Sequence, residues 1–543
     1  MSGVLVISLA RIGDIVQNFP AFSDLQRSAG DGGVYAIVQN DLQELAKMSP
    51  ALDGVIGFDG NALLDTLRDR NGMSLDGLSC LKDIFEQIDQ IKPDKVVNLT
   101  HTSFSSRFCS FVDTRQLFGR VDDRESGSCL HGFWSRYFFT LLESRSCNGF
   151  NLVDVQRDIA AGERGNFHKP NVPEQAVRYA RNKLHIFDGR AKIAIAVGAN
   201  HPLRHWSSGN WKGTIELLIS KLGAGIVLLG TDSEAEISSE IARNSGGNCL
   251  NLCGQTDPVQ LAGVIDECDI FVGNDSGSLH LAASLGKPCV GIYLAMASAW
   301  DTAPYSDGAI TIEPDLPCHP CSESILCTDP KCHRSITPTA VAETCMNALN
   351  ISRLDHHDGC IKKIAYFDAR GKLNLKGEYK SDDSQRLLWR SLIELIFNPE
   401  STDLLTAPRV SAKFYDEFYA VIEPVKNELI ELSKQTMNNL ENDQHANSDQ
   451  QMDSIAIQMP VLLSKYPQMR PILDLYMMDC LSGDTAKGLS QPERILAAMD
   501  TLLHRFHLIE QHLGNLMKTK SISQINHTLN AHVERAVQMS EVS

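Results

Sequence analysis

No stretch of this sequence reaches about 18 uncharged apolar residues, the length a membrane-crossing helix needs, so no membrane span is expected. No secretory leader is expected either. Its opening, MSGVLVISLARIGDIVQNFP, has no basic start, and Arg11 and Asp14 break the apolar stretch early. Excess positive charge is missing too. Lys and Arg number 50 against 67 Asp and Glu, a net charge of -17 with a pI of about 5.5. A phosphate backbone calls for clustered cations, so no nucleic-acid partner is expected, and an anionic ligand must be held by a few local donors. A disulfide framework is absent as well: the 15 cysteines are odd in number and scattered. They fit reduced thiols and a cytoplasmic protein.

What is present is ordinary globular chemistry, with 43% hydrophobic and 22% charged residues over 543 positions. At roughly 100–200 residues per domain, that length allows three or four domains. The first half alternates short apolar runs with amphipathic stretches. Val4–Leu9, Val34–Val38, Val55–Phe58 and Lys95–Leu99 read as strands, with helices from about Ile15 and over Leu78–Ile91. The pattern weakens around Phe150–Pro173, where a linker is expected, and then restarts. Ile193–Val197, Ile226–Leu229, Cys249–Leu252, Ile270–Val272 and Cys289–Tyr293 read as strands. Helices fit at Gly209–Leu222, Ser233–Asn244, Pro258–Asp266, Gly277–Leu285 and Pro338–Leu349. Strands alternating with helices imply parallel sheets covered on both faces. The reading divides the chain into residues 1–175, 176–353 with a Cys-rich loop at 316–333, and 354–543. The last part opens on a hairpin, Ile364–Phe367 and Lys372–Leu375, and continues with helices at Ser384–Phe397, Tyr415–Leu440, Asp453–Leu463, Pro471–Leu481, Pro492–Leu513 and Ser521–Val537.

Four segments could carry chemistry. In Ser8–Ile15 a strand turns into a helix through Gly13, which permits close backbone approach, and Asp14 follows it. Asp14 is either a helix cap or a carboxylate pointing into a cleft. The segment Val197–Trp206 also joins a strand to a helix. Its Asn200 and Arg204 suit a diphosphate, although a solvated loop with a packed Trp206 would look the same. The segment Val272–Ala283 is the sharpest. A strand ends at Gly273 and a helix starts near Gly277, so its free N–H groups and dipole form a phosphate site, with Ser276 and His280 within reach. The plainer alternative is a well-capped helix, with Asp275 or Ser276 as the cap. Finally, Cys318, Cys321, Cys327 and Cys332 have the spacing of a closed structural thiolate site for zinc or iron, or are four reduced surface thiols.

Taken in order, these segments resemble glycosyltransferase family 9, the heptosyltransferases. Arg11-Ile12-Gly13-Asp14 looks like the N-terminal signature. Gly198-Ala199-Asn200 with Arg204 and Trp206 resembles the second. Val272–Ala283 followed by Gly286-Lys287-Pro288 resembles the third, and Leu316–Cys321 resembles a cysteine segment of many members. The likeness covers roughly residues 1–350. It implies a GT-B fold of two Rossmann-like α/β domains, to which this chain adds a mainly helical extension. It also implies inverting transfer, usually of heptose from ADP-heptose, with Asp14 as general base and no cofactor required for catalysis. Donor contacts would fall on Gly13, Asn200, Arg204, Asp275, Ser276, Gly277 and His280, with Glu234 or Glu236 on the ribose or base. Arg204 stands where lysine is frequent and Ser276 where threonine is. Leu294-Ala295-Met296-Ala297 departs from the family's turn, and Asn98–Ser103 departs from the usual acceptor side. The acceptor is left open among a lipopolysaccharide, a surface glycan and a protein. A lipid acceptor would bring the enzyme to the inner membrane surface, and the extension could serve oligomerisation. Two other readings compete: a non-catalytic scaffold acting through its helical tail, and a nucleotide-sugar epimerase.

Overall fold

The computed structural model describes residues 3–68, 76–123, 127–243, 245–322, 327–352, 355–380 and 383–397, with scattered positions between 422 and 509. The chain divides into two compact units, Met1–Ser135 with Phe150–Lys380, and Arg136–Gly149 with Ser381–Ser543.

The first unit contains both sheets. Strands β1 (Gly3–Ser8), β2 (Val34–Gln39), β3 (Gly54–Phe58), β4 (Pro93–Asn98), β5 (Gln116–Asp123) and β6 (Gly127–His131) lie in the order β3-β2-β1-β4-β5-β6. The central strand pairs in parallel with β2 and β4, Ile7 lying opposite Ile37 and Asn98. All six residues of β1 are buried, as a strand covered on both faces requires. Strands β7 (Lys192–Ala196), β8 (Gly225–Leu229), β9 (Cys249–Asn251), β10 (Ile270–Asn274), β11 (Cys289–Ile292) and β12 (Ile310–Pro314) form a second parallel array. The antiparallel hairpin β13 (Cys360–Phe367) and β14 (Leu373–Gly377) extends this sheet beyond β12. Two Rossmann-like α/β layers therefore stand as the sequence implies.

The expected strands and helices of residues 1–349 are present, with differences that have physical reasons. The hairpin strand begins at Cys360 rather than Ile364, because Lys362 and Lys363 are buried yet satisfied: Nζ of Lys362 donates to Asp355 O, and Nζ of Lys363 to Glu313. The stretch read as linker opens with a helix, Leu152–Ala160, whose Asn151 side chain accepts from the Val153 N–H. This helix and the Gly277–Ser284 helix both pack on the Ile12–Ser28 helix, so the latter is buried from Ile15 to Leu25, polar residues included. The buried Asp24 there takes two bonds from Arg157, at 2.6 and 2.7 Å. Arg157 also donates to the Tyr305 hydroxyl at 3.0 Å, which donates in turn to Asp154 at 2.6 Å. This network fastens the first sheet's helices to the loop between β11 and β12.

In the second unit the helix Asp383–Phe397 stands where the sequence places one. Its Arg386 donates to the carbonyls of Arg145 and Asn148, and Arg390 to that of Gly149, each at 2.9 Å. Of the later helices, the described positions within 415–440, 471–481 and 492–513 are helical. Those expected at 453–463 and 521–537 lie outside the described residues.

Candidate functional site

The carboxyl ends of both sheets carry the segments singled out by sequence. In the first sheet, Leu9 is the junction. Its N–H donates to Thr100 Oγ1 at 2.7 Å, and its carbonyl accepts from Gln39 Nε2 at 3.1 Å. Strand β1 is where the sheet order switches direction, the place at which open α/β sheets bind ligands. Asp14 lies one turn into the following helix and is half-buried. One of its oxygens accepts from the Arg11 N–H at 3.1 Å. It is therefore a capping carboxylate, and its other oxygen makes no bond among the described residues.

The second sheet supplies the opposing wall. Asn274, at the end of β10, donates to the carbonyls of Val197 and Gly198 at 2.9 and 3.2 Å and accepts from the Trp206 N–H at 3.3 Å. This one amide fixes the loop after β7 against the end of β10. Arg204 then reaches Asp275, donating to its backbone carbonyl at 2.6 Å and its carboxylate at 2.5 Å. His280 Nε2 stands 3.4 Å from the other Asp275 oxygen. Burial works to raise the Asp275 carboxyl, but the Arg204 guanidinium and His280 hold it below the usual carboxylate range. At neutral pH this is a charged pair, with the guanidinium partly exposed toward the cleft.

The two walls meet. A Cβ on Gly13 would lie 3.0 Å from Gly277 Cα, and one on Gly277 only 2.9 Å from Gly13 N. Gln17 Nε2 sits 3.3 and 3.4 Å from the two ring nitrogens of His280. The first turns of the Ile12–Ser28 and Gly277–Ser284 helices thus abut, with Ser276 at the cap of the second. The first-turn N–H groups of both helices, which an α-helix leaves without internal partners, lie at this seam, a favourable setting for an anion.

The remaining candidates divide. Glu234 is among the cleft residues: a Cβ on Gly198 would lie 2.6 Å from its carboxyl carbon. Its carboxylate accepts from the Thr231 N–H at 2.7 Å and from the Ser233 hydroxyl at 3.0 Å. Burial opposes its charge, but these bonds and nearby His205 bring its pKa below the usual range. Glu236 is exposed on the Ala235–Arg243 helix, away from Gly198. Asn200 is exposed at the loop tip. In the cysteine loop, Cys318 is exposed, Cys321 and Cys327 are half-buried and Cys332 is buried. Burial raises the Cys321 thiol, and Cys318, Cys332 and Cys327 raise it further, so the four lie within electrostatic reach. Among the described residues, no three His, Cys, Asp or Glu side chains close to metal-holding geometry. Sequence reasoning missed Asn274 and Gln17. Only Asn274, inside the sharpest motif, carried a local signal.

Residues 152–331 match the family model of glycosyltransferase family 9 (heptosyltransferase). Lipooligosaccharide heptosyltransferase 2 of Haemophilus ducreyi is 35% identical over 137 residues, 24% of this chain and 39% of that protein. Lipopolysaccharide heptosyltransferase 2 of Escherichia coli is 32% identical over 127 residues, 22% of this chain and 36% of that protein. The chain thus spans under two-fifths of the length of these curated relatives. Among solved structures, a family 9 glycosyl transferase from Veillonella parvula aligns over 65% of this chain and 98% of its own, with a TM-score of 0.51 and 17% identity. That likeness shows the fold. Over residues 152–331, this chain is thus similar to glycosyltransferase family 9, the heptosyltransferases.

Proposed function

We propose that the chain is an inverting glycosyltransferase that moves heptose from ADP-heptose onto a lipopolysaccharide, surface-glycan or protein acceptor. The observation carrying this reading is the seam at Gly13 and Gly277, which brings the helix turn that holds Asp14 against the start of the Gly277–Ser284 helix, next to the Asp275–Arg204 pair. Residues 1–175 would take the acceptor and residues 176–353 the donor. The nucleotide diphosphate would lie against the N–H groups of Ser276 and Gly277, with Arg204 balancing its charge. Asn200 and His280 would touch the donor, and Glu234 rather than Glu236 would bind the ribose or base, because only Glu234 borders the cleft. Asp14 would take the acceptor hydroxyl proton as that oxygen bonds to the anomeric carbon. The bond from that carbon to the diphosphate oxygen breaks, and ADP leaves with its electron pair. One displacement inverts the centre, and positioning with general base catalysis supplies the rate.

Calorimetric titration with ADP, GDP, UDP, dTDP and CMP tests the donor. Preference for ADP supports the reading, another preference changes the sugar, and no binding removes it. Asp14→Ala should lower transfer about 10²–10⁴-fold, the usual worth of a general base, while ADP binding stays within threefold. Transfer at the normal rate would mean the base is another group. No helix among the described residues is long and apolar enough to cross a membrane. We place the enzyme in the cytoplasm, at the inner membrane surface if its acceptor is a lipid.

The soft thiol donors of Cys318, Cys321, Cys327 and Cys332 suit zinc or iron, and we assign them a structural rather than catalytic metal. Purified protein should carry about one such ion per chain, as a four-thiolate site holds. Elemental analysis that finds none in fully stable protein removes the assignment.

A further inference from the structure

Strand β13 brings a buried charge against β12, near one edge of the second sheet. Lys363, opposite Thr311 in the antiparallel pair with β12, is 1% exposed at its side chain and lies 2.8 Å from Glu313, itself 3% exposed. Burying two charges is costly unless their remaining hydrogen-bonding capacity is used. Glu313 uses its second oxygen to accept from the Ala299 N–H at 3.1 Å, at the start of the Ala299–Thr302 turn of helix. Lys363 also stands 5.6 Å from the centre of the Trp300 ring, next along that turn. The pair is thus aimed at one short segment, Leu294–Thr302.

That segment borders the donor side of the cleft. The carbonyl of its last residue, Thr302, accepts from the Tyr293 hydroxyl at 2.7 Å, and the adjacent Ile292 carbonyl accepts from the N–H of Asp275, the partner of Arg204, at 3.2 Å. Its start is strained: Ala295 has φ of 53°, a left-handed backbone that disfavours any residue with a Cβ. A second support holds that point, since the Cys321 N–H donates to Ala295 O at 2.9 Å. The segment is therefore held from behind at both ends. Burial alone would raise the Glu313 carboxyl, but Lys363, with His319 and Lys380 nearby, keeps it far below the usual range.

We propose that Lys363 and Glu313 are positioning residues for donor binding: the hairpin strand, through this buried ion pair, holds Leu294–Thr302 and with it the Asp275–Arg204 pair. The inference rests on the donor reading above, and two measurements on the full chain separate their failures. The first needs no ligand. In Lys363→Met, hydrogen exchange over residues 297–303 should quicken at least tenfold while β7 and β8 keep their protection. The second is ADP titration, where Lys363→Met should raise the Kd about tenfold and Lys363→Arg less than threefold. Leu228→Ala, a core change in the same sheet, serves as control: with an equal or larger loss of Tm it should bind ADP as the wild type does. Unchanged exchange in Lys363→Met overturns the proposal whatever ADP does. Quickened exchange with unchanged ADP affinity, while Arg204→Ala loses binding, also overturns it and leaves the donor reading intact. Wild-type protein that ignores every nucleotide removes the donor reading and this role together. Should Lys363→Met not fold, Glu313→Gln takes its place and is read by the same two criteria.

Discussion

Asp14 follows strand β1 and His101 follows its neighbour β4, and each is set by its backbone. Asp14 caps its own helix and still presents one oxygen, so the two readings its sequence position allows are not exclusive. His101 adopts φ of 58°, and both its ring nitrogens are sealed from solvent although the residue as a whole is only half-buried. Burial, with Arg120 adding, pushes its pKa down to about 3 from an ordinary 6.5. Between those values the unfolded chain binds a proton that the folded chain refuses, so stability rises with pH across the window and falls as pH drops through it. His101→Asn keeps a side chain that tolerates the left-handed backbone. It should flatten the acid limb of a Tm-against-pH curve between about pH 6.5 and 3, by up to about 1.4 kcal/mol per pH unit. An acid limb identical to wild type would show that His101 titrates normally in the fold. Gly13, Asp14, Arg204 and Ser276 stood out in the sequence because they follow apolar strands, at the sheet ends where open α/β folds bind ligands. The Arg204–Asp275 pairing was not, since 71 residues separate the partners and only the sheet order makes them neighbours.

At the scale of elements, the seam between two helix starts is the most demanding feature. No side chain fits between Gly13 and Gly277, and each would-be Cβ meets backbone, which cannot swing aside. Gly277→Ala should therefore separate the walls, lowering kcat at least tenfold and costing about 1–3 kcal/mol of stability, the usual range for overpacking. Steady-state kinetics and melting check this together, and full activity would mean that the contact is dispensable. The major strands and helices were visible as alternation of apolar runs. Strand β12 was not, because Ile310–Pro314 is short and holds Glu313, a residue that reads as surface until Lys363 is seen beside it. Strand β13 was read too short for the same reason. The pair β5 and β6 was missed because Arg120, Asp122 and Asp123 dilute the apolar signal.

For the whole molecule, long-range ties matter more than any one element. Arg157 and Asp24 are buried 133 residues apart in sequence, and with Tyr305 they join parts of both sheets. Arg157→Met would strand the Asp24 carboxylate without its main partner. It should cost about 3–5 kcal/mol, as breaking a buried pair does, read as a fall in Tm. A loss under 1 kcal/mol would place Arg27, which also binds Asp24, as the sufficient partner. No composition or spacing announced this network, because its members are common charged residues whose burial appears only once the helices pack. A comparable tie has a consequence in time. Arg386 and Arg390 satisfy carbonyls at Arg145, Asn148 and Gly149, 238 to 241 residues earlier in the chain. On a ribosome adding about 5–20 residues per second, those carbonyls wait roughly 10–50 s for their donors. The second unit therefore cannot close while the chain grows past it, and the segment 136–149 must pass that interval in contact with water or a chaperone.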